Sequence, residues 1–273
     1  MKIRLFVFLF FLLLIPLSLF LYSKVSGTKP ETETLSAVIE EPTLTPTPSK
    51  KPSPTPSKKL SKGSYTIAAF GDSMIDTMGE DLDYLSLALK KKYPGTNFKL
   101  LNFGIGAENV EKGLARWNST LTYKERNYPP ITQVNADIII LGSFSYNTFD
   151  PHDVSRHREG LKKLIEEARI TSSDVYLLLE IAPLAEGFGQ GKNGPNMLPA
   201  DAIAQSNRIL EQLDDSLSLG KELGISLINV YTPSQLNGRY GEISNVNQDD
   251  GIHPSGQGHE LTARIIVSEV KLR

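Results

Sequence analysis

The hydrophobic and polar positions along the chain fall into three stretches of different character. Residues 5–22 are predominantly apolar and uncharged, residues 24–63 are rich in Pro, Thr, Ser, Lys and Glu, and a mixed pattern begins at Tyr65. A Pro-rich polar stretch lacks the apolar surface that a packed core needs. We therefore predict an N-terminal segment at 1–23, a linker at 24–63 and one globular domain at 64–273, because its length of about 210 residues supports a sizeable core.

Within the globular part, short apolar runs alternate with segments that have apolar residues at helical spacing. Five runs predict buried strands, at residues 65–70, 98–103, 137–141, 175–179 and 225–230. Five segments predict helices, at about residues 82–93, 109–117, 155–169, 199–223 and 254–270. Strands that lack polar alternation and are followed by helices are typical of a parallel sheet covered on both faces. The pattern predicts an α/β fold.

The apolar segment 5–22 has the length of a membrane span. Its 18 uncharged residues follow Lys2 and Arg4, and such a run crosses a bilayer as a helix. A secretory signal has a shorter apolar core and a small-residue cleavage site, and residues 25–27 form a poor one. We predict an uncleaved anchor, with a cleaved signal and secretion as the alternative. The preceding positive charges predict a cytoplasmic N-terminus and a domain outside the cytoplasm.

Composition and charge exclude several classes of function. The chain has 29 Lys and Arg against 31 Asp and Glu, and this near balance gives no reason to expect a nucleic-acid partner. It has no Cys, and therefore no disulfide framework, thiolate metal site or Cys nucleophile. Its four His are scattered without a metal-binding motif. We expect no metal and no cofactor.

The predicted strand ends carry the chain's candidate chemistry. Polar residues follow the strands at 71–73, 104–109, 142–147 and 249–254, and in parallel sheets the site lies beyond the carboxyl ends of the strands. These segments supply a serine, backbone amides, a carboxamide and an Asp-x-x-His pair. A serine nucleophile needs a His base, a carboxylate that orients the base, and N–H donors for the oxyanion. The strand ends therefore predict a site for acyl transfer.

Two sequence blocks carry a resemblance to a known family. The segment Gly71-Asp72-Ser73-Met74 is similar to the Gly-Asp-Ser-Leu block of the SGNH/GDSL hydrolases, which are esterases and lipases. Residues 250–254, Asp-Gly-Ile-His-Pro, resemble the Asp-x-x-His-Pro block, including the Gly-His at 258–259. The resemblance extends over about residues 65–270, with four blocks in the family's order.

The resemblance implies a fold and three catalytic roles. The fold is a three-layer α/β/α sandwich with a flavodoxin-like, five-stranded parallel sheet. Ser73 is implied as the nucleophile, His253 as the base and Asp250 as the residue that orients the base. The family's chemistry needs no cofactor.

The second block departs from the family pattern. It usually reads Asn-x-Gly-x-x-Gly, and residues 102–107 place Ala107 at the last glycine. That position supplies an oxyanion N–H beside the amide of Ser73. An alanine keeps this amide in place if its φ is negative. We expect either Ala107 or Gly106 to be the donor.

The third block departs as well. It usually reads Gly-x-Asn-Asp, and a direct alignment places Phe144 at the asparagine. Asn147 takes the role if the loop is three residues longer, and we predict Asn147 as the side-chain donor of the oxyanion hole. A glycine-rich run at 186–194 is interpreted as a mobile loop over the site.

These features together predict a membrane-tethered, extracytoplasmic serine esterase. Its expected substrates are carboxylic esters, either small molecules or acylated glycans or lipids, and its expected membrane contact is residues 5–22. Two alternatives use the same fold. An O-acyltransferase would pass the acyl group to a surface polysaccharide, and a non-catalytic module would only bind at the surface.

Overall fold

A computed structural model of the protein describes residues 60–172 and 174–272. The described residues belong to one compact unit, residues 54–273. The predicted anchor at 1–23 and the linker up to residue 59 lie outside the described residues. Across the described ranges, none of the helices is long and apolar enough to span a bilayer. The anchor, its membrane contact and the predicted domain limits stay predictions.

The described residues form a main parallel sheet, a small hairpin and helices between them. The strands are β1 (Ser64–Gly71), β2 (Asn97–Gly104), β3 (Leu121–Tyr123), β4 (Arg126–Tyr128), β5 (Ile138–Gly142), β6 (Val175–Leu179) and β7 (Ser226–Asn229). The helices are α1 (Ser73–Asp76), α2 (Asp83–Lys92), α3 (Val110–Ala115), α4 (Val154–Thr171), α5 (Pro199–Glu222) and α6 (Gly256–Glu269). Three short 3-10 turns lie at 131–133, 232–234 and 243–245.

The main sheet has five parallel strands in the order β2-β1-β5-β6-β7. These are the five predicted strands, and each begins and ends within one residue of its predicted limits. Every residue of β5 and β6 is buried, as expected for strands covered on both faces. The predicted α/β fold with a five-stranded parallel sheet is confirmed.

Helices cover both faces of this sheet. The chain steps from β1 to β2 in one direction and then from β2 through β5, β6 and β7 in the other. Because crossovers between parallel strands are right-handed, reversing the direction moves the connecting helices to the opposite face. Helix α2 accordingly packs with α6, whereas α4 packs with both α3 and α5. The result is three layers, with the carboxyl ends of all five strands at one edge.

The antiparallel hairpin β3–β4 was not predicted. Each of its strands has only three residues, and Leu121 pairs with Tyr128 at its open end. Three residues are too few to show a period of two, so the segment has no strand signal. The hairpin brings the buried side chain of Arg126 to the end of β2, where it donates to the carbonyls of Asn102 (2.8 Å) and Gly104 (3.0 Å). The hairpin is thereby fixed to the edge that carries the candidate chemistry.

Candidate active site

Ser73 lies at the first turn after β1. Asp72 caps the one-turn helix α1, because its Oδ1 accepts a hydrogen bond from the amide of Met74 (3.0 Å). Asp72 is fully buried, whereas Ser73 is partly exposed. The turn is tight, since a Cβ at Gly71 would lie only 2.5 Å from Cγ1 of Ile75. The hydroxyl of Ser73 is thereby displayed at the carboxyl edge of the sheet.

Asp250 and His253 form a hydrogen-bonded pair in the loop before α6. Oδ2 of Asp250 lies 2.9 Å from Nδ1 of His253. Oδ1 of Asp250 accepts the amides of Ile252 (2.7 Å) and His253 (2.9 Å). Burial acts to raise the pKa of Asp250, but the hydrogen bonds from His253 and the two amides outweigh it and hold this pKa below its usual range. The carboxylate is therefore charged and fixes the orientation of the imidazole.

The second block brings backbone amides next to the serine. A Cβ added at Gly106 would lie 4.0 Å from Cβ of Ser73. The amide of Gly106 donates to the hydroxyl of Tyr123 (3.4 Å), in the hairpin. Among the described residues, the amides of Ala107 and Ser73 have no hydrogen-bond acceptor. Of the two candidate donors, the structure thus leaves Ala107 unengaged.

The backbone of Ala107 has a conformation that is uncommon for alanine. Its φ is +58°, in the left-handed region, and its side chain is exposed. The condition of a negative φ is therefore not met, and alanine here adopts a backbone conformation that glycine adopts more readily. The sequence gives no sign of this, because the residue type opposes the conformation.

The third block places Asn147 and Phe144 in different environments. Nδ2 of Asn147 donates to Oδ2 of Asp72 (2.8 Å), directly before Ser73. Phe144 is fully buried, and its ring lies 6.0 Å from that of Phe70. The longer loop therefore brings Asn147 to the serine and turns Phe144 into the core.

Comparison with known proteins gives the family of this fold and site. A family model described as GDSL-like Lipase/Acylhydrolase matches residues 67–266. The chain belongs to this family. It is a hydrolase that acts on ester bonds, and the resemblance drawn from the sequence blocks is confirmed. No curated protein matches the chain.

Solved structures share the fold of this acylhydrolase. The lipase/acylhydrolase from Enterococcus faecalis is 22% identical with a TM-score of 0.55, and the match covers 77% of this chain and 98% of that one. The acetylxylan esterase from Geobacillus stearothermophilus is 16% identical with a TM-score of 0.52, covering 77% of this chain and 95% of that one. A further acetyl xylan esterase is 18% identical with a TM-score of 0.51, covering 76% and 100%. At these identities the likeness shows the fold alone.

The acylhydrolase edge also contains a buried carboxyl that sequence reasoning missed. Glu180 directly follows β6 and accepts the amide (2.7 Å) and the hydroxyl of Ser143. Burial and the charge of Asp72 raise the pKa of Glu180 to about 8, and burial raises the pKa of Asp72 to about 6. Of these two neighbouring carboxyls, Glu180 is therefore the one that keeps its proton to higher pH. The sequence signal for Glu180 is its position directly after a predicted strand, at the edge where the other candidate residues lie.

A buried ion pair between Arg126 and Asp76 holds α1 of the acylhydrolase against the hairpin. Arg126 donates to Oδ1 of Asp76 (2.5 Å), and both side chains are almost fully buried. Lys124 donates to the other oxygen of Asp76 (2.7 Å) and is more than half exposed. These contacts join the helix of Ser73 to the backbone of the second block, through the carbonyls that Arg126 also binds.

Proposed function

We propose that this family member is a serine esterase with Ser73 as the nucleophile, His253 as the general base and Asp250 as its orienting carboxylate. The observation that carries the proposal is the Asp250–His253 pair, which engages Nδ1 of the imidazole. Nε2 is therefore the nitrogen that takes the proton from the serine. The pair belongs to the same strand edge as Ser73, and His253 lies close enough to interact electrostatically with Asp72, the residue before Ser73.

The proposed reaction has two steps. Oγ of Ser73 attacks the ester carbonyl while Nε2 of His253 takes the hydroxyl proton. The tetrahedral intermediate collapses as His253 returns this proton to the leaving alcohol, and an acyl-enzyme remains. Water then attacks the acyl-enzyme with the same proton transfers in reverse order, and the carboxylic acid leaves. Only side chains and backbone amides take part.

The oxyanion receives three donors in this proposal. These are the amides of Ser73 and Ala107 and one N–H of the Asn147 side chain. Ala107 is preferred to Gly106, because the hydroxyl of Tyr123 accepts the amide of Gly106. Nδ2 of Asn147 has two hydrogens, so one bonds to Asp72 while the other is available for the substrate.

The proposed substrates are acylated glycans or lipids outside the cytoplasm. Two proteins of the same fold are named acetylxylan esterases and another is a lipase/acylhydrolase, which supports an acyl ester on a glycan first and on a lipid second. The uncharged run at 5–22 supports a membrane tether. The linker at 24–63 would then hold the enzyme at a distance from the bilayer.

The test is ester hydrolysis by the full chain, purified in a mild detergent, with p-nitrophenyl acetate and acetylated xylan as substrates. We expect Ser73→Ala to lower kcat by about 10⁴-fold or more. Ser119→Ala changes an exposed serine in the same way and should retain wild-type rates. Equal rates in wild type and Ser73→Ala would contradict the proposal. Acyl transfer to an added polysaccharide, with little hydrolysis, would identify an O-acyltransferase instead.

A further inference from the structure

The glycine-rich segment, residues 186–197, packs its backbone against the loop that carries Asp250. The amide of Gly189 donates to the carbonyl of Gly251 (3.1 Å), and the amide of Asn193 donates to the carbonyl of Asp249 (2.7 Å). These bonds reach the residues on both sides of Asp250. The segment therefore contacts the backbone of the loop at residues 247–254, which carries Asp250 and His253 and is called the acid–base loop below.

Glycines permit this contact because the two backbones approach too closely for a side chain. A Cβ at Gly191 would lie 2.1 Å from the carbonyl carbon of Asp249 and 2.3 Å from the amide nitrogen of Asp250. A Cβ at Gly194 would lie 2.4 Å from the carbonyl oxygen of Asp250. All of these atoms are backbone, so no side-chain rotation can relieve the clash.

The opposite side of the glycine-rich segment packs on the third block. Phe188 is buried, and its ring lies 6.3 Å from that of Tyr146. Tyr146 directly precedes Asn147, and its hydroxyl donates to the carbonyl of Ile181 (2.9 Å). The segment is closed on itself by the amide of Asn196, which donates to the carbonyl of Gly189 (2.9 Å). It therefore bridges the loop of Asn147 and the loop of Asp250.

We infer that the glycine-rich segment positions Asp250, the proposed orienting carboxylate, with Gly191 and Gly194 as positioning residues that act through Asp250. This inference rests on the proposed function of Asp250 and differs from the mobile loop that the glycine content predicts. The acid–base loop is a short turn, closed by the amide of Gly251 on the carbonyl of Asn247 (2.7 Å). The segment contributes a rigid surface behind this turn. A displacement on the order of 1 Å in a catalytic group costs about 10²-fold in rate.

The first test is a double-mutant cycle on ester hydrolysis by the full chain. We expect Gly191→Ala to lower kcat by about 10- to 100-fold with little change in KM. In the Asp250→Asn background the same substitution should cost less than about 2-fold, because a residue that acts through Asp250 has nothing left to position. Gly187→Ala is the matched control, since the atoms nearest to its Cβ belong to the side chain of Leu184, which can move, and not to a backbone.

Two results of this cycle would overturn the inference. One is a wild-type rate in Gly191→Ala, as expected for Gly187→Ala. The other is an equal loss from Gly191→Ala with and without Asp250→Asn, which would mean a general loss of structure. Ser73→Ala gives the background rate, so an inactive wild type would count against the proposed function instead.

A second measurement decides the inference independently of activity. The amides of Ile252 and His253 donate to Oδ1 of Asp250, and hydrogen exchange reports whether these bonds persist. In Gly191→Ala we expect faster exchange at both amides, with unchanged exchange in β5. Unchanged protection at both amides would overturn the inference. If Gly191→Ala does not fold, Phe188→Leu is used instead, because it loosens the segment from Tyr146. It should likewise speed hydrogen exchange at the amides of Ile252 and His253.

Discussion

The loop of the proposed nucleophile Ser73 (the nucleophile loop) and the loop of the proposed pair Asp250 and His253 (the acid–base loop) lie at one edge of the sheet, but different forces hold them. The nucleophile loop lies between β1 and α1, where Asp72 is buried and Arg126 binds Asp76. The acid–base loop lies beyond the sheet and is held by backbone hydrogen bonds, from its own residues and from the glycine-rich segment. Buried charges therefore fix one half of the site, and close backbone packing fixes the other.

This difference predicts how each half fails. A buried charge that loses its partner destabilises the whole fold, because the remaining charge cannot be hydrated. A loop that loses its backbone packing moves locally, and the rest of the protein keeps its structure. We therefore expect substitutions near the nucleophile to change global stability, and substitutions behind Asp250 to change the rate first.

The largest stability effect is expected from Arg126→Met. The substitution leaves the carboxylate of Asp76 with Lys124 alone and removes the donor to two backbone carbonyls. Removing one partner of a buried ion pair costs about 3–5 kcal/mol. Urea unfolding followed by circular dichroism measures this loss.

The control for this prediction is the other cation on the same carboxylate. Lys124 is 59% exposed, and an exposed ion pair contributes at most about 1 kcal/mol. Lys124→Met should therefore remain close to wild type. Equal losses of unfolding free energy in Arg126→Met and Lys124→Met would contradict the prediction. They would show that the buried ion pair contributes no more to stability than the exposed one.

The largest effect on rate from a residue other than the proposed triad is expected from Asn147→Ala. Loss of one oxyanion donor lowers kcat by about 10²- to 10³-fold. KM should change much less, because the oxyanion forms after the substrate binds. Steady-state hydrolysis of p-nitrophenyl acetate measures both constants. Asn118→Ala, on the exposed surface, is the control, and similar rates in both variants would remove Asn147 from the oxyanion hole.

The sequence predicted those parts of the protein in which the hydrophobic pattern matches the burial of the side chains in the structure. The strands β5 and β6 are buried along their whole length, so their apolar runs mark them directly. Asn147 was predicted from the loop length, because the family pattern has an asparagine at that strand end, and the structure places it beside Asp72. Glu180 and Arg126 were missed for one reason: a charged residue at a strand end or in a hairpin has the pattern of a solvated one. Their burial depends on partners that are distant in the sequence.

The next smaller effect is the contribution of Glu180 to the pH dependence of stability. Its sign follows from the direction of the pKa shift of Glu180. The pKa in the folded state is raised to about 8 from 4.5, so between these values the folded state holds a proton that the unfolded state has released. The stability that Glu180 contributes through this shift is therefore fully present below about pH 4.5 and is lost as the pH rises toward 8. For one group the slope is at most about 1.4 kcal/mol per pH unit.

The variant Glu180→Gln tests this directly, because glutamine keeps the shape and cannot titrate. The free energy of unfolding should fall more steeply in wild type than in the variant between pH 7 and 8, a window that lies above the pKa of about 6 of Asp72. Urea unfolding at several pH values gives the difference between the two proteins. Parallel curves would mean that Glu180 is already charged in the folded state at neutral pH.

The smallest effect concerns Ala107, where the strain is confined to one residue. Its left-handed φ of +58° costs alanine about 1–2 kcal/mol, and glycine avoids this cost but gains freedom in the unfolded chain. We expect Ala107→Gly to stabilise the fold by up to about 1 kcal/mol and to leave kcat within a few-fold, because the amide is retained. Ala88→Gly, within α2, should instead destabilise by about 1 kcal/mol. Equal signs for the two variants would show that the strained alanine is not a cost to the fold. A large loss of kcat in Ala107→Gly, without a similar loss in Ala88→Gly, would show that the alanine side chain holds its own amide in place. At this position, neither buried charges nor the glycine-rich segment fixes the backbone.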